Sequence, residues 1–375
     1  MTMNSTIVLG LDLGMGAIKL NGPHGGLQVL SQIALGSAQK VQAMLGLSNK
    51  RAPLEITTAA GRFYVGDGAH DWGRPIENLD YDRLTGSPEI MAMFFAAMTR
   101  YQQTYGRLTA AATVMVGLPL ETMMGDEAQT NADAVRKWLR GHHEWTADGE
   151  QYALEVDDAR CTSQPAAAFF DAILDADGKP IAGRKVFATA EVGVISIGFN
   201  TIELLVVRDK APVQRFTAGS TVGVRRLLEL VNKERHYSRG ELDVLLRAGK
   251  LDVREAMPIW SREVFGQIEA QWGRMFRRFA GVIVVGGGSI LLHDVLLAKF
   301  NGKAIFPDDP VLSIARGLYK FALVRRGKTP TTPPVVLAPD ASAEPVPPDL
   351  PVQSPLLPVA VVPPTLVFSK NGLLT

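Results

Sequence analysis

Cysteine is nearly missing from this chain: Cys161 is the one thiol among 375 residues. A lone cysteine excludes an internal disulfide framework and a multi-cysteine zinc site, and it fits a reducing compartment. Excess charge of either sign is missing as well, with 39 basic against 38 acidic residues. That balance implies no general polyanion-binding face, so direct nucleic-acid binding is not expected. Any dealings with DNA would run through an adaptor protein. Long apolar runs are absent too. The N-terminal run over residues 7–11 ends at Asp12, far short of the roughly 20 residues a membrane span needs. No basic stretch leads into it as a signal peptide requires. A cytoplasmic chain that does not enter a membrane is the expectation.

What is present reads as globular, with 46% hydrophobic and 21% charged residues. The length is too great for one ordinary core, so two lobes are expected. Residues 6–13 (TIVLGLDL) are β-branched and apolar and run into Gly14 and Gly16, which predicts a buried strand entering a tight turn. Residues 17–20 resume as a strand, so the pair forms a hairpin. Further strands are predicted over 62–65, 111–118, 185–190, 192–197, 201–207 and 281–285. Helices are predicted over 88–105, 128–139, 163–174, 222–234, 241–248, 257–279, 289–300 and 310–324. The order is hairpin, strand and helix, then the same again, with no short repeat of solenoid type. Residues 330–364 are crowded with proline and alanine and carry few charges, which cannot make a packed core; a disordered tail is expected there.

Three stretches carry chemistry. In the first, Asp12 ends a strand, Gly14 and Gly16 form the turn, and Lys19 lies on the return strand. Glycine lets backbone N–H groups approach phosphate oxygens, a carboxylate can hold Mg²⁺ through water, and a lysine offsets triphosphate charge. No Gly-Lys-Ser/Thr opens a helix, so this is not a P-loop; an ordinary glycine hairpin is the alternative. The second stretch, residues 194–203 (VISIGFNTIE), repeats the design with Gly198, Asn200, Thr201 and Glu203. Two such turns facing each other would clasp a triphosphate. The third runs from the strand at 282–285 through Gly286, Gly287 and Gly288 to Ser289. Bare backbone before a helix can support a base or ribose, and a dinucleotide-binding turn is the alternative.

In this order the motifs resemble those of the actin-like ATPases, most of all the ParM-like plasmid, phage and archaeal homologues. The signatures phosphate 1, connecting helix, phosphate 2, adenosine site and second connecting helix match residues 12–19, 163–170, 195–203, 284–289 and 310–321. The stretch 64–69 (YVGDGA) resembles one in the small subdomain of that group. The resemblance covers about residues 1–327. It implies an α/β, two-lobed actin-like ATPase fold of duplicated ribonuclease H-like type. Lobe I would span 1–160, with a small subdomain at about 30–110 and a completing helix at 310–327. Lobe II would span 161–309, with a small subdomain at about 225–275, and a Pro-rich tail at 328–375 would follow.

Residue by residue, the resemblance implies Asp12 at a hydrated Mg²⁺ and Lys19 on phosphate. Gly14 and Gly16 would form the first phosphate turn, and Gly198, Asn200, Thr201 and Glu203 the second. Gly286, Gly287 and Gly288 would face the adenosine, and Gln164 would orient the attacking water. The ligand would be ATP, with GTP as the alternative. The working form would be a filament of the chain with itself, reaching plasmid or phage DNA through an adaptor; a weakly hydrolysing scaffold and a metabolite kinase of the same superfamily are the competing functions. Two departures stand out. Relatives begin phosphate 2 with aspartate where this chain has Ser196, and often end it with aspartate where it has Glu203. Loss of the first negative charge implies slow hydrolysis with nucleotide still bound. His142-His143, Cys161, Arg225-Arg226 and the trio Arg274, Arg277, Arg278 are read as surface or packing residues without a role in the site.

Overall fold

The computed structural model describes residues 6–36 and 52–326. The tail expected over 328–375, and part of the small subdomain expected at 30–110, lie outside them. In chain order the strands of the first sheet are β1 (Ile7–Leu13), β2 (Ala17–Gly22), β3 (Gly25–Leu30), β4 (Ile33–Gly36), β5 (Leu54–Thr58), β6 (Gly61–Val65), β7 (Gly73–Pro75), β8 (Ala112–Leu118), β9 (Gly141–Ala147) and β10 (Glu150–Ser163). They pair in the order β3-β2-β1-β8-β10-β9-β5-β6-β4-β7. The second sheet holds β11 (Val192–Ile197), β12 (Ile202–Arg208), β13 (Ala211–Pro212), β14 (Ala218–Ser220), β15 (Gly281–Val285) and β16 (Ala304–Ile305), in the order β13-β12-β11-β15-β16 with β14 on β12. Each sheet is built on one plan: an antiparallel hairpin, β1/β2 or β11/β12, whose first strand pairs in parallel with a later strand, β8 or β15.

The strands at the heart of each sheet read as unbroken apolar runs because both faces are covered. Along β1, Leu9, Leu11 and Leu13 enter a core under α1 (Pro88–Tyr105), while Val8 enters a different core on the opposite face. Along β11, Ile195 and Ile197 face α4 (Val224–Val231) and α6 (Met257–Trp272), while Val192 and Val194 join Val8. That shared core is filled by α3 (Gln164–Ile173) and α9 (Ser313–Arg326), which lie between the two sheets. Their approach is close: a Cβ on Gly317 would stand 1.9 Å from the Ala167 carbonyl oxygen, and one on Gly10 2.2 Å from that of Ala315. The crossing is pinned by Asp171. Its carboxylate accepts from Ser313 Oγ at 2.7 Å, Arg316 Nε at 2.7 Å and Lys320 Nζ at 2.8 Å, so the buried charge is fully partnered.

The remaining helices are α2 (Ala128–Leu139), α5 (Arg239–Arg247), α7 (Gly287–Leu291) and α8 (His293–Phe300). Four sequence expectations are corrected. Residues 185–190 are no strand; they fall mostly in a 3-10 turn, Ala182–Ala188. The helix expected over 257–279 stops at Trp272, where Gly273 takes φ +50°, so Arg274, Arg277 and Arg278 share no long helix face. Arg278 instead pairs with Glu191. The helix expected over 289–300 is two, broken at Leu292. His142 and His143 lie on β9 rather than in a loop, and His143 is buried with its Nε2 2.8 Å from the Leu139 carbonyl. Among the described residues no helix is long and apolar enough to cross a membrane.

Candidate functional site

The hairpin β1/β2 places Asp12 directly opposite Lys19, so both side chains leave the same face of the sheet. Lys19 Nζ donates to Asp12 Oδ2 at 3.0 Å. On the other side, Asp12 and Thr162 both align with Gly117 of β8, so the end of β10 lies near the end of β1. The chain then turns into α3, and Gln164 at its start donates from Nε2 to Asp12 Oδ1 at 2.8 Å. Asp12 is only 1% exposed, yet both carboxylate oxygens are partnered. Behind the first turn, Ser31 donates from Oγ to the Gly14 carbonyl at 2.8 Å and from its N–H to that of Gly16 at 3.0 Å.

The second turn meets the first. A Cβ on Gly16 would lie 2.5 Å from Phe199 Cβ, so only a bare backbone lets the two turns touch. The 198–201 turn is closed by the Gly198 N–H on the Thr201 carbonyl at 2.8 Å. The first amides of α4 hold its outer carbonyls, with Val224 on Gly198 at 3.0 Å and Arg225 on Phe199 at 2.7 Å. The third glycine run packs on the same strand end. Gly286 takes φ +90°, and a Cβ on Gly288 would stand 2.3 Å from Ile197 Cγ2, whereas one on Gly287 would meet nothing within 4 Å.

These turns enclose a cavity of about 420 Å³, lined by Asp12, Gly14, Gly16, Lys19, Gln164, Ser196, Gly198, Asn200, Thr201, Gly286, Gly287 and Gly288. That volume lies in the range of sites for small ligands. Residues from both halves of the chain therefore converge on one space. Buried Asn200 Oδ1 has no protein partner, an acceptor left over for a ligand or water. Among the described residues no cluster of three or more His, Cys, Asp or Glu is arranged to hold a metal. The carboxylates that line the cavity are those of Asp12 and Asp243.

Glu203 is the one sequence-predicted site residue outside the lining. It pairs with Ser196 across the β11/β12 ladder but is 1% exposed and does not line the cavity, and its Oε1 accepts from the Leu120 N–H at 2.6 Å. Burial pushes its carboxyl up to about 8, against the Leu120 hydrogen bond and with help from the charges of Asp12 and Glu121. Arg225 and Arg226 turn away to Glu229 and Glu263. Burial raises the Cys161 thiol to about 12, which keeps it protonated near neutral pH. Sequence reasoning missed Tyr81, Asp243 and Arg247, which reach the cavity from a 3-10 turn and from α5.

Comparison with known proteins agrees with this architecture. Residues 10–166 match the family described as actin-like proteins, N-terminal domain. A search of curated proteins finds no match by sequence. Among solved structures, apo pSK41 ParM is 16% identical over 86% of this chain and 98% of its own, with TM-score 0.65. The archaeal actin homologue Ta0583, solved in complex with ADP, is 19% identical over 85% of this chain and 100% of its own, with TM-score 0.64. A ParM from Clostridium botulinum, solved as a 15-stranded filament, is 17% identical over 84% of this chain and 98% of its own, with TM-score 0.63. The chain has the actin-like fold, and the family model it matches over residues 10–166 is that of the actin-like N-terminal domain.

Proposed function

We propose that this chain binds a nucleoside triphosphate with Mg²⁺ between its two halves and assembles with copies of itself into nucleotide-dependent filaments. The convergence of two glycine turns, from separate halves of the chain, on the Asp12–Lys19–Gln164 cluster carries this reading. In it the two sheets belong to two lobes, Lys19 and the amides of both turns hold phosphates, and the 286–288 backbone supports the nucleoside. Magnesium, when bound, offsets triphosphate charge, and Asp12 holds its water shell. Gln164 spends its amide N–H on Asp12, which leaves its carbonyl oxygen to orient a water by hydrogen bonding without acting as a strong base. The filament would position DNA of plasmid or phage type in the cytoplasm through an adaptor. Sedimentation with ATP, with GTP and without nucleotide tests this: polymer pellets only with a nucleotide, and a monomer under all three conditions overturns the filament.

Ser196 sets the rate in this proposal. It is buried at the cavity wall, where it contributes a hydroxyl and no charge. The expected result for Ser196→Asp is phosphate release faster by about tenfold, the scale of one added charged contact to the reacting assembly. An unchanged single-turnover rate would show that the serine does not limit hydrolysis.

A further inference from the structure

Helix α5 connects two places. Asp243 and Arg247 on it line the nucleotide cavity, while its first turn is held by residues of the first half of the chain. Glu77 Oε1 accepts from the Arg239 N–H at 2.8 Å and from the Gly240 N–H at 3.4 Å. Gln32 Nε2 donates to the Gly240 carbonyl at 3.0 Å, and His70 Nδ1 lies 3.2 Å from Ser238 Oγ. The opening amides of a helix have no partner within it. Here the capping box of Ser238 and Glu241 satisfies the Glu241 N–H, and only Glu77, more than 160 positions away in sequence, satisfies the two amides before it. Burial holds the His70 imidazole below its usual range against the pull of Glu77, Glu241 and Asp71, so it meets Ser238 uncharged near neutral pH.

We infer that Glu77, with His70 and Gln32, is a latch that keeps α5 closed over the nucleotide cavity and sets how slowly nucleotide leaves. The inference rests on the nucleotide-binding proposal and adds to it the contact that must break for release. Glu77 itself is exposed, so water can replace it on the freed amides, which makes the contact reversible. Gly240 supplies the geometric signature. A Cβ there would stand 2.4 Å from His70 Cε1 while the latch is shut. Gly240 lies in the first turn of α5 without a positive φ, so alanine suits the helix itself and conflicts only with the closed contact.

The test is displacement of a fluorescent Mg²⁺–ATP analogue by excess ATP in stopped flow, on the full chain, with thermal melting to establish that each variant folds. Glu77→Ala is expected to release the analogue about tenfold faster, the scale of a lost helix-cap acceptor. Gly240→Ala is expected to do the same while its helix gains propensity, and in a His70→Ala background, where the collision is gone, Gly240→Ala is expected to add no further acceleration. Release unchanged in both single variants overturns the latch and leaves nucleotide binding intact. Failure of the unaltered chain to take up the analogue overturns the nucleotide reading itself, and the latch with it.

Discussion

Asp12→Asn is expected to lower affinity for Mg²⁺–ATP by about a hundredfold, the scale of one charge-assisted contact in a buried site, while leaving the fold in place. The substitution keeps the shape of the side chain and one oxygen for the Gln164 amide. What it removes is the negative charge that faces Lys19 at 3.0 Å and that a hydrated cation requires. Lys19 is 18% exposed in its side chain, so its ammonium can turn to water when the partner is neutral, and the large penalty of an uncompensated buried charge does not arise. Titration of a fluorescent ATP analogue with and without Mg²⁺ separates the roles. The unaltered chain is expected to bind tighter with the metal, and the variant to show almost no difference between the two conditions. A variant whose affinity still rises with Mg²⁺ would remove Asp12 from the metal's hydration shell.

The parts of this site legible in the sequence are those set by local geometry. Asp12 and Lys19 stand seven positions apart around a three-residue glycine turn, and that spacing makes them direct cross-strand partners. In the second hairpin the ladder likewise sets Ser196 opposite Glu203, a pairing not drawn from the sequence. Local geometry does not reveal what the other half of the chain brings. Glu203 shares a face with Ser196, yet the segment after β8 supplies it the Leu120 N–H, so a residue expected at the ligand is buried outside the cavity lining. Asp243 and Arg247 are ordinary charged residues spaced four apart on a helix, indistinguishable in sequence from a solvated pair, and Arg247 does donate to Asp243 at 2.8 Å. Only the placement of α5 brings them to the cavity. One missed element did carry a signal. Asp148-Gly149, at φ +50° and +86°, is the turn pair that favours a two-residue hairpin, and the strand after it alternates buried Tyr152, Leu154 and Val156 with exposed neighbours. Strand 185–190 failed for the opposite reason: a short apolar run does not distinguish strand from helix without its tertiary partner.

The nucleotide-free protein is expected to lose stability as pH rises from 5 to 8, and Glu203→Gln to remove much of that slope. The unfolded chain ionises this carboxyl near 4.5, whereas the fold keeps it protonated up to about 8. Between those values unfolding releases a proton, so the stabilisation present at low pH is lost as pH climbs, at about 1.4 kcal/mol per pH unit from this one group. The cause is structural. Oε1 has one donor, the Leu120 N–H, and buried Oε2 has none, so an ionised carboxylate would face the charges of Asp12 and Glu121 with a single hydrogen bond. Glutamine keeps the acceptor for Leu120 and carries no charge at any pH. Urea midpoints at pH 5.5 and pH 8 for both proteins are expected to differ far more in the unaltered chain, with the variant the more stable at pH 8. Parallel shifts in the two proteins would place the titrating group elsewhere. Because Leu120 follows β8 of the first sheet and Glu203 belongs to β12 of the second, the hydrogen bond that this carboxyl accepts ties the two sheets together.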